Sequence, residues 1–484
     1  MKFAKRMDRF GEGIFSRLAE IKNKRISEGK EVIDLSIGAP NIPPAEHIRK
    51  ALCEEAMKPE NYVYAISDTK KMLDTVADWY KRRYDVELDP DTEICSLLGS
   101  QEGLAHIALS IADEGDIVMV PDPCYPVFGD GPQVAGAELY YMPLKKENDY
   151  IIQLQDIPEE VAKKAKLMVV SYPNNPTTAM APAQFYQDLV AFAKKYDIIV
   201  LHDNAYSELV FDGKTCGSFL SYPGAKEIGV EFNSLSKTYG LAGARIGFCL
   251  GNKEVVKHLK MLKSNMDYGM FLPIQAAAVA ALTGDQDCVY DTMKAYEARR
   301  DILCDGFRSI GWEMDRPVAT MFVWAPIPKQ YESSEAFVMD LVEKTGVMEV
   351  LSDRLAKDLC EWRWYRTEKR WSVPSMQWMK AEFSRRRMHE KFHERSHEKM
   401  EMEDPDPVIS LFYIWQFPDS GCHILEGKWI FSYKDTEPSF RSRDGCLVAD
   451  GASGTEGRSF YRVCRLGIFA GNEYRCWNSA CIFS

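Results

Sequence analysis

The chain has 484 residues, 46% of them hydrophobic and 27% charged, with a formal net charge of −12. That length allows roughly two to four domains, the charged content excludes a fibre or wholesale disorder, and the acidic balance argues against a nucleic-acid-binding surface. No run approaches the ~18 apolar residues of a membrane span, and the N-terminal MKFAKRMDRFGEG lacks a signal-peptide core, so a cytoplasmic protein that acts on small molecules is expected.

Residues 1–30 alternate charged and apolar positions as an amphipathic helix does, and EVIDLSIGAPNIPP then reads as a short strand and a Gly/Pro loop. From about residue 45 to 290 helical stretches alternate with short apolar runs. IVMVPDP, KLMVVSYP, IIVLHDNAY and VEFNSLS are buried strands ending in Pro, Asp, Asn or Ser, and their alternation with helices predicts a mainly parallel α/β sheet. Functional groups in such sheets lie just past the carboxyl ends of the strands, where Tyr125, Asn175, Asp203 and Ser234 fall. One long helix is expected from IQAAAVAAL through EARRDILCDGF, then a strand at TMFVWAPI and a helix at SSEAFVMDLVEKTGV, the start of a smaller α/β domain. The domain reading is an N-terminal helix and arm (1–45) contributing to the small domain, a large domain (46–285), the start of the small domain (286–347) and an aberrant tail (348–484).

The sharpest segment is SLSKTYGLAGARIGF, from Ser234. A lysine directly after a strand, flanked by hydroxyls and followed eight residues on by an arginine, suits an aldehyde cofactor that bears a phosphate. YPNNPTT places Asn175 after one strand, HDNAYSEL places Asp203 and Tyr206 after the next, and GSQEGLAHIAL opens a helix at Ser100.

In this order and spacing the four segments resemble the class I/II aminotransferases of pyridoxal-phosphate (PLP) fold type I, and the resemblance covers residues 1–347. Within the family the chain is most similar to LL-diaminopimelate and aspartate-type aminotransferases, through GSQEGLAHIAL, DPCYPVF and SLSKTYGLAGARIGF. The resemblance implies a large PLP-binding domain with a mainly parallel sheet between helices, a small α/β domain, and a homodimer. It implies an amino group moved between an L-amino acid and a 2-oxo acid by a ping-pong route. Lys237 would join the cofactor aldehyde as an imine and shuttle the substrate proton. Asp203 would pair with the pyridine nitrogen. Tyr206 and Asn175 would bond the ring's O3′ oxygen, and Tyr125 would stack on the ring. Ser100 and Gln101, at a helix N-terminus, would hold the phosphate with Ser234, Ser236 and Arg245, and Tyr64 would reach the partner subunit's phosphate. Gly38 and Asn175 would meet the substrate. Thr178 stands where the family usually has Gly, and Gly13 where diaminopimelate aminotransferases tend to carry a substrate-contacting Tyr. A PLP β-lyase on the same fold, or a PLP-binding but catalytically impaired protein, are the alternatives. No metal site is expected: His389, His393 and His397 share helical spacing but sit in a charged stretch.

After Val347 the family pattern stops. Residues 1–347 hold 7 of the 13 cysteines and three of the 10 tryptophans; the remaining 6 cysteines and seven tryptophans crowd into 348–484, where 21 basic and 21 acidic side chains cancel. The family's Pro-Gly-Ser strand end and its carboxylate-clamping Val-Arg-(Met/Ile/Leu)-(Ala/Ser) are absent from the chain as written. Read in a displaced frame, the codons of Leu359-Cys360-Glu361-Trp362-Arg363-Trp364-Tyr365 permit Val-Arg-Met-Ala-Leu-Val, because Trp has one codon and Cys and Tyr two each. The tail therefore reads as a frame-displaced translation, with a genuine appended domain as the rival.

Overall fold

A computed structural model describes residues 1–10, 14–36, 38, 40–348, 350–351 and 359–363, and six strands between 420 and 481. In chain order the elements are α1 (Ile14–Ser27), β1 (Ile33–Asp34), α2 (Glu46–Ala56), α3 (Lys70–Tyr84), β2 (Ile94–Leu97), α4 (Ser100–Ile111), β3 (Ile117–Asp122), α5 (Val127–Ala135) and β4 (Glu138–Pro143). Then come α6 (Glu159–Ala162), β5 (Ala165–Ser171), α7 (Ala183–Tyr196), β6 (Ile199–Asp203), α8 (Ala225–Ile228), β7 (Gly229–Ser234), α9 (Leu235–Thr238) and β8 (Gly247–Gly251). They are followed by α10 (Lys253–Met266), α11 (Leu272–Thr283), α12 (Asp287–Ser309), β9 (Phe322–Pro326), α13 (Ser334–Thr345), β10 (Val347–Met348), β11 (Val350–Leu351) and β12 (Leu359–Arg363).

The large domain is built on a seven-stranded sheet in the order β2-β8-β7-β6-β5-β3-β4. Strands β4, β3, β5, β6 and β7 run parallel, each next pair joined by a helical crossover. β8 returns antiparallel between β7 and β2. Its connection, residues 235–246, contains only the single-turn α9 and a 3₁₀ turn, so it folds back over the carboxyl end of β7 and does not cross the sheet. That fold-back holds Lys237 and Arg245 at the sheet's functional edge. The strands are apolar on both sides, as a sheet covered by helices on both faces requires: Val118, Val120, Leu167, Val169, Leu201 and Phe232 pack under α4 and α10, while Met119, Met168, Val170 and Val200 face α7. Helix α4 lies close on the sheet because Gly103 has no side chain; a Cβ there would fall 2.6 Å from Leu97 Cδ1 and 2.9 Å from Phe232 Cε1.

The single long helix expected between 275 and 307 is two, α11 and α12. Asp285 lies between them, its Oδ1 accepting the Asp287 N–H at 3.0 Å, an Asx-type turn ahead of the second helix. In the small domain β9, β12 and β11 form an antiparallel sheet, and β1 pairs parallel with β10, Ile33 opposite Val347. Residues Met1–Glu394 form one compact unit.

Past residue 348, where the sequence shows no sustained period, strands nevertheless occur. The second unit, Arg395–Ser484, holds an antiparallel meander of β13 (Ser420–Leu425), β14 (Lys428–Tyr433), β15 (Ser439–Arg443), β16 (Cys446–Asp450), β17 (Tyr461–Arg465) and β18 (Trp477–Cys481). Its segments, such as KWIFSY and YRVCR, are rich in the aromatic and β-branched residues that favour strands. Among the described residues no helix is long and apolar enough to cross a membrane. Gly13 and the three spaced histidines lie outside the described residues.

Candidate active site

The carboxyl ends of β5, β6 and β7 bring together most of the residues singled out from sequence. Asp203 ends β6 and is 5% exposed. Burial pushes its carboxyl up to about 6; His202 and the Ala205 N–H, donated at 3.3 Å, oppose that rise. Tyr206, three residues on, is buried with its ring edge-on to Phe322 at 5.3 Å, so a small-domain strand braces it. Lys237, in the first turn after β7, donates its Nζ to the carbonyl of Gly38 and lies 6.0 Å from the centre of the Tyr206 ring. Gly38 thus touches the lysine from the N-terminal arm, across 199 residues of chain.

A second group sits around the start of α4. Gly99, at φ 84°, turns the chain from β2 into the helix at Ser100. A Cβ at Gly99 would stand 2.3 Å from Arg245 Nη2, so the guanidinium rests on the glycine itself. A Cβ at Gly247 would stand 2.8 Å from the Ser100 N atom. Glycine at both positions makes a cradle in which the first-turn N–H groups of α4, lacking intrahelical acceptors, meet a guanidinium. Arg245 is exposed and takes a left-handed backbone, φ 57°, with its Nη1 donating to the Ala242 carbonyl at 2.9 Å. Ser234 and Ser236 are buried, the Ser234 hydroxyl accepting the Ser236 N–H at 3.2 Å. Gln101 accepts from the Tyr125 hydroxyl at 2.8 Å, which ties the aromatic side chain to the helix end. Asn175 is buried in the turn after β5. The turn is pinned by Asn174, whose Oδ1 accepts from the Thr177 N–H and hydroxyl at 3.0 and 2.7 Å. Thr178, at the usual Gly position, has φ 66°, which accounts for the glycine preference there.

Tyr64 does not join this group. It is 83% exposed, its ring 6.0 Å from that of the exposed Tyr268. A cavity of about 410 Å³ between Trp79, Arg83, Glu208 and Tyr239 contains none of Lys237, Asp203 or Asn175. Sequence reasoning missed the two-glycine cradle and the bracing Phe322; the only local trace of the cradle was a Gly between a strand and a helix in LLGSQEG. It expected no metal. Glu102, His106 and Asp267 do place one ligand atom each within 4.8 Å of one another. The Lys263 ammonium already bonds Glu102 at 2.9 Å and Asp267 at 3.1 Å, supplying the cation these carboxylates need.

A buried acid whose carboxyl is pushed up to about 6, a lysine at hydrogen-bond reach of Gly38 and a helix start beside a guanidinium are chemically suited to a phosphorylated aldehyde with a basic ring nitrogen. The sequence model of the family "Aminotransferase class I and II" matches residues 30–351. An LL-diaminopimelate aminotransferase of Moorella thermoacetica is 45% identical over 349 residues, 72% of this chain and 89% of that protein. One of Syntrophobacter fumaroxidans is 44% identical over 336 residues, 69% and 86%. Among solved structures, substrate-bound BacF of Bacillus subtilis matches with a TM-score of 0.74 and 32% identity over 80% of this chain and 98% of that one. A probable N-succinyldiaminopimelate aminotransferase of Thermus thermophilus matches with 0.70 and 32% over 78% and 100%. The β-lyase and impaired-protein alternatives find no support among these relatives. The chain belongs to the class I and II aminotransferases, and it is a transaminase of fold type I that works with pyridoxal 5′-phosphate.

Proposed function

We propose that this transaminase takes LL-diaminopimelate or a closely related dicarboxylic amino acid as amino donor, and that it works as a cytoplasmic homodimer. The observation that carries the substrate is the identity of 41–45% to LL-diaminopimelate aminotransferases over about 72% of the chain. When bound, PLP supplies an electron sink for the pair released as the substrate Cα loses its proton. Lys237 would hold the cofactor's aldehyde carbon and, as an amine beside it, carry the proton taken from the substrate Cα. Asp203 would pair with the pyridine nitrogen and keep it protonated. Asn175 and Tyr206 would bond the ring's O3′ oxygen, and Tyr125, whose hydroxyl donates to Gln101, would cover its face. Ser100, Gln101, Ser234, Ser236 and Arg245 would hold the phosphate, a guanidinium being suited to that anion. Gly38, whose carbonyl already meets Lys237, lets the N-terminal arm lie against the substrate, with Asn175 opposite.

The homodimer rests on the face around Tyr64. Tyr62, Val63, Tyr64, Ile66, Met266 and Tyr268 are each more than half exposed, a cluster of apolar side chains that association would cover. In that arrangement Tyr64 reaches the partner's phosphate site.

For the tail, the frame-displaced reading from about residue 348 is supported by the family match ending at residue 351, beside the break in composition. Independent resequencing together with mass spectrometry of tail peptides tests it; an uninterrupted frame and a detected tail peptide would overturn it. The substrate reading is tested by a panel of amino donors in a half-reaction followed by absorbance. Conversion by LL-diaminopimelate at least ~100-fold faster than by aspartate or alanine is expected, and a preference for either of those would reject it. Sedimentation of a Tyr64→Asp, Ile66→Asp variant as a monomer is expected for the dimer face.

A further inference from the structure

The chain that leaves β6 does not run free past Tyr206. It pairs antiparallel with the segment that enters β9, as a short two-stranded ribbon. The Thr320 N–H donates to the Leu209 carbonyl at 2.8 Å, Val210 bridges Ala319, and the Phe211 N–H donates to the Val318 carbonyl at 2.8 Å. One end of the ribbon lies at the site, where the Leu209 N–H donates to the Tyr206 carbonyl at 3.0 Å and the Tyr206 ring meets Phe322. The other end is closed by Arg300 of α12. Its Nη1 and Nη2 donate to the two carboxylate oxygens of Asp212 at 2.7 and 2.8 Å, Nη1 also to the Pro317 carbonyl at 2.9 Å, and Nε to Asp301 at 2.8 Å. One side chain therefore bonds both strands. Its guanidinium carbon lies 4.9 Å from the centre of the Phe211 ring. One turn earlier on the same face of α12, Glu297 accepts the Asp212 N–H at 2.7 Å.

Arg300 is 1% exposed, among the largest fully buried side chains of the described residues. Burying a guanidinium is costly unless it is paired and hydrogen-bonded, and the net stability that such a pair returns is small. What it provides is geometry: a planar fork fixes two chain segments to each other, as the point charge of a lysine does not. Backbone strain lies in the same ribbon. Asp212 and Thr320 take left-handed φ values of 59° and 71°, and Thr320 is β-branched and wholly buried, a conformation that persists only where the surroundings over-determine it. The Thr320 hydroxyl accepts the Phe322 N–H at 3.4 Å, directly ahead of the ring that meets Tyr206.

We propose that Arg300 is a positioning residue for transamination: by clamping the far end of the ribbon it fixes Tyr206 against Phe322 and holds the phenol for the cofactor's O3′ oxygen. The inference rests on the role given to Tyr206 above.

The test uses the full chain carrying Arg300→Met, Arg300→Lys, Tyr206→Phe, or Arg300→Met and Tyr206→Phe together. Hydrogen exchange without PLP reads the ribbon directly. In Arg300→Met the amides of Phe211 and Thr320 are expected to exchange at least ~10-fold faster, while those of β5 keep the wild-type rate. With PLP bound, the pH midpoint of the cofactor's visible absorbance reads Tyr206. Arg300→Met is expected to move that midpoint in the same direction as Tyr206→Phe, and to lower kcat by roughly tenfold with KM within about threefold. Arg300→Lys keeps the charge without the fork and is expected to behave as Arg300→Met does. The double variant is expected to match the midpoint of Tyr206→Phe alone, because a clamp that acts through Tyr206 then has nothing to act on. Unchanged exchange of the ribbon or an unmoved midpoint in Arg300→Met would overturn the proposal. So would a double variant in which the two shifts add, the result expected of an arginine that only stabilises the fold. If Tyr206→Phe itself leaves the midpoint unmoved, the role of Tyr206 fails and the inference with it; a shift there with none in Arg300→Met rejects the clamp alone. Far-ultraviolet circular dichroism checks the fold, and Asp212→Asn, at the exposed end of the clamp, replaces Arg300→Met if that variant does not fold.

Discussion

Asp203→Asn is expected to stabilise the apoprotein at neutral pH while crippling the enzyme, as when an active site is held at the expense of stability. The carboxyl is 5% exposed and its value rises from 3.8 to about 6. At 1.36 kcal/mol per unit, ionising it in the folded chain at pH 8 costs ~3 kcal/mol relative to the unfolded chain. The folded-state value lies above the unfolded one, so between about pH 4 and 6 the native protein binds the extra proton. The stability this site contributes is complete below about pH 4 and lost as pH rises through about 6. Asparagine keeps the shape without the ionisation, so the difference in unfolding free energy between variant and wild type should widen from near zero at pH 4 to ~3 kcal/mol at pH 8. The assay is urea unfolding of PLP-free protein across that range, repeated with saturating PLP. The cofactor should stabilise wild type by more than the variant, because only the carboxylate gains a protonated ring nitrogen as partner. A variant no more stable than wild type at pH 8, or an equal gain from PLP in both, would refute the reasoning.

Three further outcomes are expected. Lys237→Ala should abolish the visible band of lysine-linked cofactor and lower turnover by more than ~10³-fold; a persisting band would assign the linkage to another lysine. Thr178→Gly should raise unfolding free energy by about 1 kcal/mol, since a β-branched residue at φ 66° bears roughly 1–2 kcal/mol of left-handed strain that glycine escapes, less its greater chain entropy; a lowered urea midpoint would contradict this. Gly99→Ala places a methyl 2.3 Å from Arg245 Nη2 at φ 84°, so the guanidinium must leave the cradle. PLP affinity should fall at least ~10-fold, and an unchanged dissociation constant would remove Arg245 from the phosphate site.

The large domain was legible because its signals are local. Strand runs ending in Asp203 or Ser234, and short motifs at those ends, needed no knowledge of distant partners. What escaped was set by contacts far apart in the chain. The antiparallel return of β8 follows from a connection too compact to cross the sheet, a matter of geometry that composition does not display. The pairing of Ile33 with Val347 joins the two ends of the family-like region. The break between α11 and α12 falls at one Asx-type turn of Asp285, invisible to a helical pattern that continues on both sides. Phe322 reaches Tyr206 only once the small domain is folded onto the large one.

The position of β2 has a consequence for how the protein emerges during synthesis. It is an edge strand whose sole ladder partner in the sheet, β8, starts at Gly247, while β2 itself ends at Leu97. β3 through β7 can assemble as each is made, but β2 must wait for nearly the whole large domain to leave the ribosome before it is paired. Its four residues, ICSL, are buried throughout in the finished fold. Until β8 arrives, that segment is open to capture by a chaperone or by another copy. Its addition completes the sheet at residue 251. The sheet that carries Asp203 and Lys237 is therefore whole before any residue beyond 348 has been translated.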